Sequence, residues 1–245
     1  MADARHILRI SGGDAKSFLQ GLVTNDVDKT SDGLVYAALL TPQGKYLADF
    51  FMLADGEDIL IDVDESLAAP LKMRLSMYKL RADVEITDAD LYVHRGLSDA
   101  PEDGHLDPRD PTLGWRAYRD VVQTDDTTDW TKLYVAAEVP QTGVELHSDS
   151  YILEMGFERL GGVDFRKGCY VGQEVTARMK HKTELRKGLA KVTVSGPADP
   201  GDEITANGKP VGTLHSRAGN QALAYLRFDR ATGEMQAGAA KLTRP

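Results

Sequence analysis

At 245 residues, with 42% hydrophobic and 27% charged side chains, the chain has an ordinary globular composition and length enough for one large domain or two to three small ones. No run approaches the roughly 18 to 20 consecutive apolar residues of a membrane helix, so no membrane role is expected. The formal net charge of −9 opposes wholesale collection of nucleic acid, so direct nucleic-acid binding is not expected and any anion site must be local.

The opening stretch, MADARHILRISGGDAKSFLQ, lacks a basic segment followed by an apolar core and a small-residue cleavage site. The chain is therefore expected in the cytoplasm. Ile7, Leu8 and Ile10 predict a short strand, Ser11 to Asp14 a capped turn, and Ala15, Phe18, Leu19 and Leu22 recur at helical spacing. Between 34 and 64, three apolar stretches separated by Pro42-Gln43-Gly44-Lys45 and Ala54-Asp55-Gly56-Glu57 predict an antiparallel meander. Leu67, Leu71, Leu75 and Tyr78 predict a helix over 65–80, with Pro70 placed in its first turn. Strand character resumes in ADVEITDADLYVHRGL, and the polar DAPEDGHLDPRDP from Asp99 to Pro111 reads as a long surface loop or a boundary.

After Lys187 the pattern becomes four or so short strands with turn-rich joints and an Asn207-Gly208 hairpin signal, which predicts a small β-barrel or sandwich. Just before it, KGCYVGQE holds Cys169, the only cysteine in the chain. A lone cysteine makes no internal disulfide, and one thiolate cannot supply the four of a typical iron–sulfur cluster. No histidine pair has structural zinc spacing beside it, so no metal is assigned to this chain alone.

Two readings of Cys169 remain open beside a third, a hydrolase nucleophile, for which none of the six histidines sits in a recognisable catalytic signature. Free cysteine is often a small buried hydrophobe. Here, however, Lys167 lies two positions away and favours a thiolate, Gly168 and Gly172 permit close approach of another group, and GQEVTARMKHK can run as a helix with the thiol just before its N-terminus. From 166 to 187, seven cations (Arg166, Lys167, Arg178, Lys180, Lys182, Arg186, Lys187) face two acids, Glu174 and Glu184. That excess suits an anionic ligand or is a solvated helix face.

HILRISGGDAKSFLQGLVTNDV, LLTPQGKYLADF, LEMGFERLGGVDFRKGCYVGQEVTARMKHK and ALAYLRFD together resemble the YgfZ-type branch of the folate-binding, aminomethyltransferase (GcvT)-like family, in register over about residues 6 to 230. The resemblance implies an α+β fold: a ring of two interleaved subdomains within 1–185 around a central pocket, followed by a C-terminal β-barrel domain over 186–245. It implies a tetrahydrofolate-binding accessory protein for assembly or repair of iron–sulfur enzymes, tRNA-thiomethylating radical enzymes among them. Expected partners are iron–sulfur client enzymes or assembly proteins and a folate-type small molecule.

Two departures separate the chain from an aminomethyltransferase proper. Ala48-Asp49 stands where that enzyme has paired acids, and Ile152 replaces an arginine two positions before Glu154. An accessory factor is therefore favoured over the alternative, a folate-dependent aminomethyl or one-carbon transferase. The thiol chemistry is assigned to Cys169 with Lys167, and Asp49 is the polar catalytic candidate. Asn25, Asp49, Glu154, Tyr170, Gln173, Glu174 and Arg178 are the candidate folate contacts. Core packing of Tyr170, and helix or turn capping by Asn25, Gln173 and Glu174, are the structural alternatives.

Overall fold

The computed structural model describes residues 4–181 and 184–244. The described chain forms two compact units, one of residues 1–127 with 158–175, the other of 128–157 with 176–245. The division expected at 185/186 falls inside the second unit.

The first unit opens with β1 (Arg5–Ser11) and α1 (Ala15–Gln20), followed by β2 (Val35–Leu40), β3 (Tyr46–Asp55) and β4 (Asp58–Asp64). Next come α2 (Glu65–Lys79), β5 (Glu85–Asp88), β6 (Tyr92–Gly96), β7 (His105–Leu106) and β8 (Trp115–Arg119). The meander is present, and β1 inserts beside it to give an antiparallel sheet ordered β2-β3-β4-β1-β5. The apolar positions of these strands meet α1 and α2 around Leu8, Ile10, Leu19, Phe50, Ile61 and Leu75, all fully buried. Gly12 makes the β1–α1 turn possible: its φ is +105°, and a Cβ there would lie 2.2 Å from the carbonyl oxygen of Asp83.

α2 starts where Asp64 accepts from the amide of Ser66 at 2.9 Å, an N-cap. Pro70 lies inside this helix rather than in its first turn. Its position tolerates the ring because it is on the exposed side, at the cost of one backbone hydrogen bond. The Asp99 to Pro111 stretch is no boundary. It carries β7, which pairs β8 in a second sheet ordered β6-β8-β7, and it buries Asp107 and Arg109.

The second unit holds α3 (Trp130–Ala137), which the periodicity did not reveal, and most of α4 (Gln173–Lys180). It is completed by β9 (Lys187–Ser195), β10 (Glu203–Ala206), β11 (Lys209–Ala218), β12 (Gln221–Arg227), β13 (Met235–Ala237) and β14 (Ala240–Thr243). These six strands close a barrel in the order β10-β11-β12-β9-β14-β13, with β13 pairing back onto β10 through Ile204 and Ala237. Asn207 and Gly208 turn the β10–β11 hairpin with φ of 50° and 70°, as the dipeptide predicts. Leu214, Leu226, Met235 and Leu242 fill the interior, each fully buried.

Candidate functional site

The thiol segment belongs to the first unit, and Cys169 is exposed. Its neighbours are not. Lys167 is buried, with its Nζ donating to the carbonyls of Gln20 at 2.7 Å and Val23 at 2.5 Å, and lying 5.0 Å from the centroid of the Tyr170 ring. Burial lowers its pKa to about 8, against the opposing pull of Asp26 and Asp164. Tyr170 is buried as well, and Val171 packs on the core of the first sheet. Lys167, expected to favour the Cys169 thiolate, directs its ammonium to the end of α1.

Gly172 also has a different role from the expected one. Its φ is +86°, and a Cβ would come within 2.7 Å of the Thr41 carbonyl oxygen, so the glycine serves close backbone packing and not access for a partner. Gly168 has open space where a side chain would stand. α4 begins at Gln173, whose amide donates to the Tyr170 carbonyl at 3.3 Å, while Glu174 and Arg178 are exposed. Lys182, in the cationic stretch, lies outside the described residues.

Asp49 sits on β3 in the first unit, 6% exposed, and accepts from the hydroxyls of Tyr46 at 2.6 Å and Tyr36 at 2.9 Å. Burial and then the Asp49 charge raise the Tyr36 phenol well above its ordinary value, so that hydroxyl stays a donor. Asn25 is tied to the same tyrosine: its side-chain amide donates to the Tyr36 carbonyl at 2.8 Å and the Gly161 carbonyl at 2.7 Å. Its oxygen accepts from the Asp26 amide at 2.8 Å. Asn25 thus joins β2 to the chain leading into the thiol segment.

Glu154 lies in the second unit. Gly188 admits its backbone, since a Cβ there would lie 2.7 Å from the Glu154 carbonyl oxygen, which accepts from the Leu189 amide at 2.7 Å. Across the ladder from Leu189, Tyr225 donates its hydroxyl to Glu154 Oε2 at 2.6 Å. Burial and this hydrogen bond raise the Tyr225 phenol far above its usual range. Among the described residues no hydrogen bond to Glu154 Oε1 is seen, Lys187 Nζ lies 3.7 Å from Oε2, and the carboxylate borders a cavity of about 1410 Å³ also lined by the cations Arg186, Arg227 and Arg230 and by two further acids, Glu184 and Glu203. The cavity therefore carries both charges: Glu154 Oε1 can accept from an N–H donor, and the guanidiniums can meet an anionic group.

The first unit also holds a buried ion network outside the residues singled out by sequence. Arg5 donates to Asp62 at 2.6 Å and Arg116 to its other oxygen at 3.2 Å. Tyr118 donates to that second oxygen at 3.1 Å. Arg116 also meets Asp107 at 3.2 Å, and Arg109 grips Asp107 at 2.8 and 3.0 Å. The guanidiniums of Arg116 and Arg109 lie 4.2 and 4.7 Å from the centroid of the Phe51 ring. The available signals were Asp62 amid the apolar ILIDVD, and Arg116 and Tyr118 two apart on one strand face.

Burial alone would raise the Asp107 carboxyl, yet Arg109 and Arg116 outweigh it and hold it at about 2. A carboxyl depressed in the folded state stabilises it at neutral pH, and that contribution, about 2 kcal/mol, is lost as pH falls from roughly 4 through 2. Urea unfolding of Asp107→Asn between pH 5 and pH 2 should therefore show a shallower loss of stability than the parent. Equal slopes would mean that Asp107 is not the titrating group.

Fold and site define a protein of the aminomethyltransferase fold with a C-terminal barrel. The solved glycine cleavage system aminomethyltransferase T from Bartonella henselae matches 97% of this chain and 81% of its own length at a TM-score of 0.76, and its 11% identity speaks to fold alone. The family model described as "CAF17, C-terminal beta-barrel domain" matches residues 186–244. The chain belongs to the family of IBA57 iron–sulfur cluster assembly factors. The mitochondrial IBA57 of Mus musculus is 30% identical, covering 95% of this chain and 78% of the relative. The Pyricularia oryzae homologue is also 30% identical, over 92% and 70%. The Mycosarcoma maydis homologue is 33% identical over 77% of this chain but only 55% of its own length, so the chain spans about half of that relative.

IBA57 is a branch related to the YgfZ type that KGCYVGQE resembles. The cytoplasmic expectation is corrected: all three relatives are mitochondrial proteins by name, which points to mitochondria instead. The lack of a secretory signal does not address other compartments.

Proposed function

We propose that the chain acts in iron–sulfur cluster assembly or repair, with Cys169 as the working thiol and a reduced folate as ligand. The observation that carries this reading is the exposure of the chain's single cysteine within KGCYVGQE, between buried Lys167 and buried Tyr170. An accessible thiol can give one ligand to a cluster shared with a partner, or exchange a mixed disulfide with it. The partners would be assembly proteins or client enzymes, radical enzymes that modify tRNA among them, as the YgfZ-type signature suggests.

Tetrahydrofolate fits the chemistry beside Glu154. The free Oε1 would accept from the amino-pyrimidine edge, and Arg186, Arg227 and Arg230 would face the glutamyl carboxylates. The cofactor would supply one-carbon or redox chemistry, whereas this chain's residues bind and orient it. Asp49 is already engaged by two phenols, which favours an accessory role over the transferase alternative.

The test is complementation. In cells lacking this gene, Cys169→Ser should fail to restore the activity and cluster content of an iron–sulfur enzyme that the parent restores. Full restoration by the serine variant sinks the thiol reading. Equilibrium dialysis that detects no saturable tetrahydrofolate binding to the purified chain removes the folate half.

A further inference from the structure

We propose that Lys167 is the positioning residue of the thiol segment: its inward ammonium clamps the chain to the end of α1, so that Gly168 and Cys169 stand out between two fixed points. The proposal rests on reading Cys169 as the working thiol.

A lysine this buried is uncommon and needs partners for its charge. Here the three ammonium donors meet two carbonyls at and just beyond the end of α1, where helix carbonyls lack partners of their own, and the Tyr170 ring covers another side. The carboxylates acting on the ammonium are Asp26 and Asp164. Asp164 is itself held by Lys29 at 2.6 Å and by the Arg166 amide at 2.7 Å, so the approach to Lys167 is also braced.

The second fixed point is Gly172. Its backbone packs so closely on Thr41, and on Gly44 in the β2–β3 turn, that no side chain fits. Tyr170 and Val171 are turned into the protein between the two anchors, which leaves Gly168 and Cys169 as the part that projects. A lysine whose task was to lower the thiol pKa would hold its charge toward the sulfur. This one spends its hydrogen bonds on the helix end, and the consequence is placement of the thiol, with its acidity left to other groups.

Because Cys169 is the only cysteine, a nitroxide spin label attaches there without other engineering. The measurements are the rotational mobility of that label and the pH midpoint of Cys169 alkylation, in the parent and in Lys167→Met. Loss of the clamp should raise label mobility about threefold and leave the alkylation midpoint within about 0.3 of the parent value. A midpoint raised by about one unit with unchanged mobility would make Lys167 an activator and overturn the proposal, as would no change in either quantity.

Should Lys167→Met not fold, Tyr170→Leu removes the ring beneath the ammonium and is judged by the same two readouts. Neither readout involves a client protein. A failed clamp and a failed thiol function are therefore separable, since only the second is decided by complementation with Cys169→Ser.

Discussion

Replacing Asp62 with alanine is expected to cost about 3–5 kcal/mol, the range for removing one partner from a buried ion network. Asp62 and Arg116 are 1% and 2% exposed, so nothing in the solvent can take over the lost contacts. Arg5 and Tyr118 would lose an acceptor too, and Arg116 would lose one of the two carboxylates it bridges. The cost comes from stranding charge in a poorly solvated place, which is different from the net worth of the pair. Removing both members, as Asp62→Leu with Arg116→Met, should therefore recover a good part of the loss. Denaturant unfolding at neutral pH measures both. A single-variant cost under about 1 kcal/mol would mean that the network is solvated, as exposed ion pairs are.

The barrel carries the second large effect. Gly212 on β11 faces β12 so closely that a Cβ would sit 2.2 Å from the Tyr225 carbonyl oxygen and 2.8 Å from Leu226 Cδ2. A closed barrel has no free edge along which a strand can shift to make room. Gly212→Ala should destabilise by about 3 kcal/mol through overpacking, or roughly 6–12 °C in Tm. It should also disturb Tyr225, and with it the hydrogen bond that orients Glu154. Gly208→Ala is the control: its φ is +70°, yet nothing lies within 4 Å of a Cβ there, so about 1 kcal/mol of backbone strain is expected. If the two substitutions cost the same, the barrel has slack at Gly212.

Much of this fold was legible because its signals are local. Turn residues such as Asn207-Gly208 and short apolar runs such as DILIDVD need no knowledge of distant chain. Local signals also explain what was missed. α3 is eight residues long, too short for its period to stand out, and the missing strands of the barrel, β13 and β14, have three and four residues.

The site was legible as residue types and not as directions. KGCYVGQE marks Cys169 as worth attention, and its exposure agrees. Whether Lys167 points out toward the sulfur or in toward Gln20 and Val23 depends on chain more than 140 positions away in sequence, at |i−j| of 147 and 144. The same holds for Asp107, Arg109 and Arg116. In DAPEDGHLDPRDP, Asp107 and Arg109 look like surface charge, and only the return of β8 beside β4's Asp62 makes them core.

The order in which the chain visits its two units bears on synthesis. A ribosome delivers residues 1–127, then 128–157 of the other unit, and only afterwards 158–175, the piece that completes the first. Domains emerging N-terminal first can begin to fold before that piece arrives. The segment bearing Cys169 is thus the last to join its unit, and the carbonyls of Gln20 and Val23 must wait for the Lys167 ammonium until more than 140 further residues have been made. A nascent chain stalled before residue 158 would hold the meander and its helices but offer no thiol to a partner, so the reactive group is presented only after the 128–157 segment of the other unit has been made.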